Sequence, residues 1–111
     1  MLDIKYIARR FERASTNTNT NPHTQTDEVN SNCARFFAGL MASKLHASTR
    51  KGRAGWHDRA LVSDQELCRM LVDHLSKGNT GTFIDIANFA MMLHLREADP
   101  AVLAFVAKGD V

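Results

Sequence analysis

The apolar positions of this chain recur at helical spacing, and no stretch alternates between apolar and polar residues for long enough to predict a strand. From Ile4 to Ala14, apolar residues fall at i, i+3, i+4 and i+7, with lysine and arginine elsewhere around the cylinder. This pattern predicts a short amphipathic helix over residues 1–14. A second helical stripe starts at Cys33 and is expected to end near Ser48.

Three further helices are predicted by their boundary residues as well as by their apolar stripes. Residues 63–66 are Ser-Asp-Gln-Glu, which match a capping box. The helix that follows them is expected to end at Gly78 of the Lys-Gly pair at residues 77–78. The next helix spans about 82–96 and is apolar almost all round, so it is expected to be buried on most faces. Aspartate and proline at 99–100 begin the last helix, and residues 108–109 end it.

A polar segment separates the first helix from the others. Residues 15–32 are rich in Thr and Asn and hold almost no apolar side chain, so burial cannot offset the entropy lost on ordering them. We interpret the segment as a flexible polar linker. The predicted organisation is an N-terminal amphipathic helix (1–14), the linker (15–32) and an all-α domain (33–111). The fold class is all-α, a small helical bundle of about four helices plus the N-terminal helix.

Composition narrows the function classes. A chain of 111 residues has room for one small domain and hardly for two. The formal charge of +2 is too small to indicate a nucleic-acid binder by itself. Cys33 and Cys68 are far apart and no CxxC occurs, which argues against a zinc ribbon and predicts two reduced thiols. No run approaches the ~18 apolar residues that span a bilayer, so we expect no membrane partner and a cytoplasmic location.

The stretch KGRAGWHD, residues 51–58, stands out between two predicted helices. It holds two glycines and the single tryptophan, and it belongs to a group of cations opposed only by Asp58: Lys44, Arg50, Lys51, Arg53 and Arg59. Cations beside glycine backbone are typical of phosphate binding, and Trp56 offers a face on which a base could stack. The alternative is that Trp56 anchors the loop on the core while the cations are solvated.

Asp85 and Asn88 share one face of the most apolar helix. A carboxylate is seldom buried without a partner, a metal or a task, so the pair is a candidate site. An alternative explains Asp85 alone, because with Thr82 it would form a capping box at the helix start. His74 falls on the apolar side of its helix, which leaves an inward orientation open. No histidines occur at ligand spacing on one helix, so we interpret them as core or surface residues rather than zinc ligands.

The loop and the apolar helix together resemble a known family. KGRAGWHD, a helix ending in HLSKG and the stretch IDIANFAMMLH are similar to small phage and prophage proteins described as dATP/dGTP diphosphohydrolase-like, relatives of the MazG-like all-α nucleoside triphosphate pyrophosphohydrolases. The resemblance covers roughly residues 36–96. It implies a four-helix bundle in which magnesium, or manganese in its place, and an activated water split the α–β phosphate bond of a nucleotide. It also implies a cytoplasmic location in a bacterial host cell.

The resemblance implies roles for particular residues. Asp85 corresponds to the last acid of the family's E-x-x-D metal motif, while Thr82 stands where that motif has glutamate. The preceding helix offers Asp73 in place of a full E-x-x-E pair. The implied metal site is therefore a reduced set of Asp85, Asp73 and Asn88, in which Asp85 and Asp73 are the catalytic carboxylates. The implied nucleotide-binding residues are Lys51, Arg53, Trp56, Asp58 and Asn88.

Two functions from different classes stay open at this point. The first is a nucleotide pyrophosphohydrolase, or a protein that binds deoxynucleoside triphosphates such as dATP or dGTP through the same residues. The second is a non-catalytic phage protein that engages a host factor or nucleic acid through the basic loop or the N-terminal helix. In both cases the apolar stripes that so small a bundle leaves exposed predict a homodimer or a homotetramer.

Overall fold

The structure, a computed structural model, describes residues 21–109, and these residues form four α-helices and no strand. We number the helices in chain order: α1 is Pro22–Arg50, α2 is Asp64–His74, α3 is Thr82–Leu95 and α4 is Pro100–Ala107. The predicted all-α fold of about four helices is confirmed for this part of the chain. The predicted N-terminal helix, 1–14, and residues 15–20 of the predicted linker lie outside the described residues.

The first helix begins well before Cys33, where the apolar stripe predicted its start. Residues 22–32 are helical, so their interpretation as part of a flexible linker is wrong. Asn21 explains the early start, because its Oδ1 accepts a hydrogen bond of 2.9 Å from the His23 amide. Pro22 then occupies the first helical position, where its fixed φ suits the helix and its missing amide costs nothing.

The chain divides into two compact units after Leu40, within α1. The first unit contains the N-terminal turns of α1, whose described side chains are exposed or half-buried. The second unit starts at Met41 and holds the last turns of α1 together with α2, α3 and α4. The candidate site lies entirely within this second unit.

α2 packs against both α3 and α4, and the core of the second unit lies between these helices. Its buried apolar side chains are Leu67, Cys68, Leu71, Met92, Leu93 and Val106. The predicted starts of α2 and α4 are confirmed, because Ser63 Oγ accepts a hydrogen bond of 3.1 Å from the Glu66 amide, and Asp99 Oδ1 accepts one of 3.0 Å from the Ala101 amide. These local signals fix where the helices begin, and the core residues then fix which faces meet.

α3 is buried on one side only. Its buried residues are Thr82, Asn88, Met92 and Leu93, whereas Phe83 is 80% exposed and Leu95 63% exposed. The expectation that this helix is buried on most faces is therefore wrong. An apolar composition all round a helix does not say how many neighbours the helix has, and the number of neighbours decides the burial.

The two cysteines differ in their surroundings, although both are free thiols as predicted. Cys68 is buried in the core, and this burial, with a smaller contribution from the charge of Asp64, raises the pKa of its thiol. Because the thiolate is the reactive form, iodoacetamide is expected to label the half-buried Cys33 in the folded protein and to label Cys68 only on unfolding. Mass spectrometry after timed labelling checks this, and equal labelling rates would contradict it.

Candidate functional site

A cavity of about 420 Å³ lies between the last turns of α1, the loop 51–63, α2 and α3. Its apolar and aromatic lining consists of Leu45, Ala54, Trp56, Val62, Met70, Phe89 and Met92. Three cationic side chains line the same cavity: Lys44, Arg53 and Lys77. Pockets of this size with mostly apolar walls and a few polar groups are typical of small-molecule sites.

Helical spacing explains how each helix contributes to the lining. Asp85, Asn88, Phe89 and Met92 follow one another at i, i+3, i+4 and i+7, and they form a single stripe along α3. Met70 and His74 repeat the i, i+4 spacing on α2, and α1 contributes the neighbouring positions Lys44, Leu45, Ser48 and Thr49. The cavity is therefore an open pocket built from one face of each of three helices, with the loop as its remaining wall.

Asp85 lies between two basic side chains. Its Oδ1 is 3.6 Å from Lys44 Nζ, and its Oδ2 is 3.7 Å from His74 Nε2. The Asp85 side chain is only 18% exposed, so these two partners supply much of the stabilisation that water would otherwise give the carboxylate. Gly81 leaves room for this arrangement, since a Cβ at that position would lie 3.1 Å from Lys44 Nζ.

The capping-box interpretation of Asp85 is wrong. The N-cap residue of α3 is Gly81, which has no side chain to cap the helix, and its amide donates a hydrogen bond of 3.0 Å to Asn79 Oδ1. Thr82 lies inside the first turn, where its hydroxyl donates to Asn79 Oδ1 at 3.1 Å and accepts from the Asn79 amide at 3.1 Å. The Asp85 carboxylate is left to face the cavity.

His74 lines the cavity, an orientation that the sequence left open. Its Nδ1 lies 2.7 Å from the Met70 carbonyl oxygen, and because a carbonyl only accepts, Nδ1 carries a proton. Its Nε2 lies 3.4 Å from Lys77 Nζ and also faces Asp85. The imidazole ring packs on Phe89, with 4.9 Å between the ring centroids. Nε2 can therefore accept from the lysine when neutral and pair with the carboxylate when protonated.

Asn88 is the most deeply buried polar residue of the lining, at 4% exposure. Its Nδ2 donates a hydrogen bond of 3.2 Å to the Met41 carbonyl oxygen of α1. Its Oδ1 is shielded from solvent and has no hydrogen-bond partner among residues 21–109. The side chain thus joins α3 to α1 with its donor and keeps an unused acceptor.

The basic loop, KGRAGWHD at residues 51–58, places only two of its four predicted nucleotide-binding residues at the cavity. Arg53 and Trp56 line the cavity, but Lys51 and Asp58 do not. Lys51 is exposed, and Asp58 Oδ1 accepts a hydrogen bond of 2.8 Å from the Ala60 amide, which stabilises a turn of the loop. Trp56 is half-buried and packs on the core. The interpretation that Trp56 anchors the loop is therefore confirmed, whereas its role as a stacking face for a base stays a prediction, although the residue also forms a wall of the cavity.

Gly55 shapes the loop by packing closely on Leu61. It has a φ of 91°, and a Cβ there would lie 2.9 Å from Leu61 Cδ1. A larger residue would be strained in backbone conformation and would also collide with its neighbour. Neither Gly52 nor Gly55 lines the cavity, so these glycines turn the chain but do not bring it to a ligand there.

Arg96, which the sequence did not single out, connects the loop to two helices. Its Nη1 donates to the Trp56 carbonyl oxygen at 2.6 Å, and its Nη2 lies 2.8 Å from Asp64 Oδ1 at the start of α2. The Arg96 side chain is 4% exposed. Arg59 joins this network from outside, with its Nε 3.5 Å from Asp64 Oδ1 and its guanidinium donating to the Arg96 carbonyl. The network positions the backbone of Trp56 and hence this wall of the cavity.

The predicted metal ligands are not brought together. Asp85 and Asn88 line the cavity, whereas Asp73 is exposed and lies outside the lining. Within residues 21–109, no group of three or more His, Cys, Asp or Glu side chains is placed to hold a metal ion. Magnesium and manganese prefer several carboxylate and water oxygens, but Asp85 already faces two basic groups and Asn88 offers one neutral oxygen. These side chains do not by themselves fit either ion.

Comparison with models of known protein families, with curated proteins and with solved structures finds no match to this chain. The resemblance to the MazG-like pyrophosphohydrolases therefore stays a prediction. Among the described helices, none has the length and apolar character needed to cross a bilayer.

Proposed function

We propose that the protein binds a deoxynucleoside triphosphate in this cavity. The observation that carries the proposal is that three cationic side chains and two aromatic walls, Trp56 and Phe89, line one cavity of nucleotide size. Lysine and arginine bind phosphate oxygens through charge-assisted hydrogen bonds, and a flat apolar wall suits a base. The family resemblance supports the same class of ligand.

The charges of the lining favour an anion. Lys44, Arg53 and Lys77 face a single carboxylate, Asp85, so the lining carries an excess of positive charge even with His74 neutral. Among the ion pairs of the described residues, Arg53 has none, so its guanidinium is available to a phosphate. A triphosphate would neutralise this excess.

Binding is tested by titrating the protein with dATP, dGTP, dCTP and dTTP in an isothermal calorimeter, in chelator and again with magnesium. We expect saturable binding with one nucleotide for each chain and little dependence on magnesium, because the lining supplies cations but no complete metal site. Absence of binding by all four nucleotides would overturn the proposal. Binding of an oligonucleotide alone would favour the alternative, a protein that engages nucleic acid through the basic loop.

The finer proposal, which the family resemblance supports, is that the bound nucleotide is hydrolysed to a monophosphate and pyrophosphate. The chain's own candidates for activating water are His74 and Asp85, since Nε2 can take up a proton and the carboxylate 3.7 Å away would stabilise the resulting imidazolium. Water would lose its proton to Nε2 as its oxygen forms a bond to the α-phosphorus. The bond between that phosphorus and the α–β bridging oxygen would break, and pyrophosphate would leave with the bridging oxygen. No step is assigned to a metal ion.

Turnover is tested with Asp85→Asn, which keeps the shape of the side chain and removes its charge. We expect pyrophosphate release from the wild type to fall by at least about 100-fold in the variant, because the imidazolium loses its counter-charge, while nucleotide binding remains. Chromatography of the products and calorimetry on the same samples check both quantities. A wild type that binds nucleotide but releases no pyrophosphate would reject hydrolysis and retain binding.

A further inference from the structure

The cavity has a polar end, formed by four side chains in one connected row. Lys44 Nζ lies 3.6 Å from Asp85 Oδ1, and Asp85 Oδ2 lies 3.7 Å from His74 Nε2. Lys77 Nζ lies 3.4 Å from the same His74 nitrogen. Asp85 belongs to the first turn of α3, so the row lies beside the start of that helix. Two lysines therefore share a single carboxylate at this end of the cavity.

The tryptophan wall lies towards the other end of α3. Arg96 follows the last turn of α3 and donates a hydrogen bond of 2.6 Å to the Trp56 carbonyl oxygen. Asp85 and Arg96 are about 16 Å apart along the helix axis, at 1.5 Å per residue. Trp56 also packs on the core that includes Met92, about two turns beyond Asp85. The cavity therefore has a cationic end and a tryptophan end.

Lys77 is the cation of the polar end that remains open to a ligand. Among the described ion pairs, Lys44 contacts Asp85, whereas Lys77 contacts no carboxylate. An ammonium group has three donors, and the contact with His74 uses at most one of them. Lys77 is exposed and lines the cavity, so a bound molecule can reach its remaining donors.

We infer that a bound nucleotide lies with its base at Trp56 and that Lys77 contacts its β- and γ-phosphates. The inference rests on the proposed nucleotide binding and adds to it an orientation and a preference for the number of phosphates. A nucleotide carries its base and its terminal phosphates at opposite ends, and the phosphates are the part that matches the cationic end. A nucleoside monophosphate stops at its α-phosphate, so its affinity should not depend on Lys77.

The role of Lys77 is tested by calorimetry with dATP and dAMP. We expect the wild type to bind dATP at least about tenfold tighter than dAMP, because dAMP lacks the phosphates that accept charge-assisted hydrogen bonds from Lys77. Lys77→Met should lose most of this preference, through about tenfold weaker binding of dATP and less than about twofold change for dAMP. Lys77→Arg, which keeps the charge, should retain the preference.

Lys108→Met is the matched control for the charge. Lys108 is another exposed lysine at the end of a helix, and it does not line the cavity. We expect this variant to leave both affinities unchanged within about twofold, since exposed charges away from the ligand are screened by salt. Circular dichroism on each variant checks that the fold is retained.

The orientation is tested by the emission of Trp56, the single tryptophan. We expect dATP and dAMP to change this emission, and we expect tripolyphosphate, which has no base, to bind without changing it. If dATP left the emission unchanged, or tripolyphosphate changed it equally, the orientation would be overturned.

The outcomes separate this inference from the nucleotide proposal. Equal affinities of the wild type for dATP and dAMP would overturn the role of Lys77 and leave nucleotide binding intact. The same would follow if Lys77→Met weakened dATP and dAMP equally, or if Lys108→Met weakened dATP as much as Lys77→Met does. Failure of every nucleotide to bind would overturn both proposals.

Discussion

Replacing Arg96 with methionine is expected to lower the free energy of unfolding by about 3 kcal/mol. The guanidinium is buried and contacts both Asp64 and the Trp56 carbonyl oxygen. Its removal leaves a largely buried carboxylate without its closest partner and a carbonyl without its donor, and both losses are more costly than the loss of an exposed pair. Urea denaturation followed by the fluorescence of Trp56, the single tryptophan, measures the change.

Arg59→Met is the matched control, because it also removes an arginine that contacts Asp64. The Arg59 side chain is 59% exposed, its Nε lies 3.5 Å from Asp64 Oδ1, and it also donates to the Arg96 carbonyl oxygen. Because water can replace contacts of so exposed a side chain, its loss should cost about 1 kcal/mol. In the folded state, Arg96→Met should also shift the emission of Trp56 to longer wavelength, since the loop is no longer held to the end of α3. Equal losses of stability in the two variants would show that burial of Arg96 does not decide its contribution.

Local signals in the sequence predicted the starts of α2 and α4, and the missed start of α1 has a local cause as well. The serine at residue 63 and the aspartate at residue 99 cap their helices as expected, because a cap depends on residues only a few positions away. The start of α1 was missed because the polar composition of residues 22–32 suggested disorder. Asn21 followed by Pro22 was the available signal, and it outweighs composition in fixing where that helix begins.

The candidate site was predicted in part. Neighbouring residues on one helix were predicted to lie together, whereas contacts between residues far apart in the sequence were not. Asp85 and Asn88 were placed together correctly, because i and i+3 share a helix face in any α-helix. The partners of Asp85 were not predicted, since Lys44 and His74 reach it from two other helices and no local pattern encodes that packing. Arg96 was missed for the same reason. Asp73 failed as a ligand because its helix presents it to solvent, away from the cavity.

The partners of Asp85 change how its burial is understood. The sequence places an ionisable residue, Asp85, on an apolar helix, and a bound metal ion was one explanation for burying its charge. In the structure, Lys44 and His74 lie within 4 Å of its carboxylate oxygens, at 3.6 Å and 3.7 Å, so the charge is accounted for by the protein. The same contacts leave Arg53 and Lys77 without a carboxylate partner among the described ion pairs. The positive excess of the cavity therefore lies with these two side chains.

Arg53→Met is expected to weaken the binding of a deoxynucleoside triphosphate by about tenfold to 100-fold. Arg53 is the loop cation that lines the cavity, and its guanidinium can form charge-assisted hydrogen bonds with phosphate oxygens that methionine cannot replace. Methionine retains the unbranched apolar stem, so packing of the loop should change little. Calorimetry with the tightest-binding nucleotide measures the effect.

Lys51→Met provides the control, because Lys51 lies two residues away and is exposed like Arg53 but does not line the cavity. Both variants lower the net charge of the chain by one, so a general electrostatic attraction would weaken equally in the two. We expect Lys51→Met to change the affinity less than about twofold, since exposed charges outside the cavity are screened by salt. Equal weakening in both variants would mean that the nucleotide contacts the exposed surface of the loop, and it would move the binding site out of the cavity.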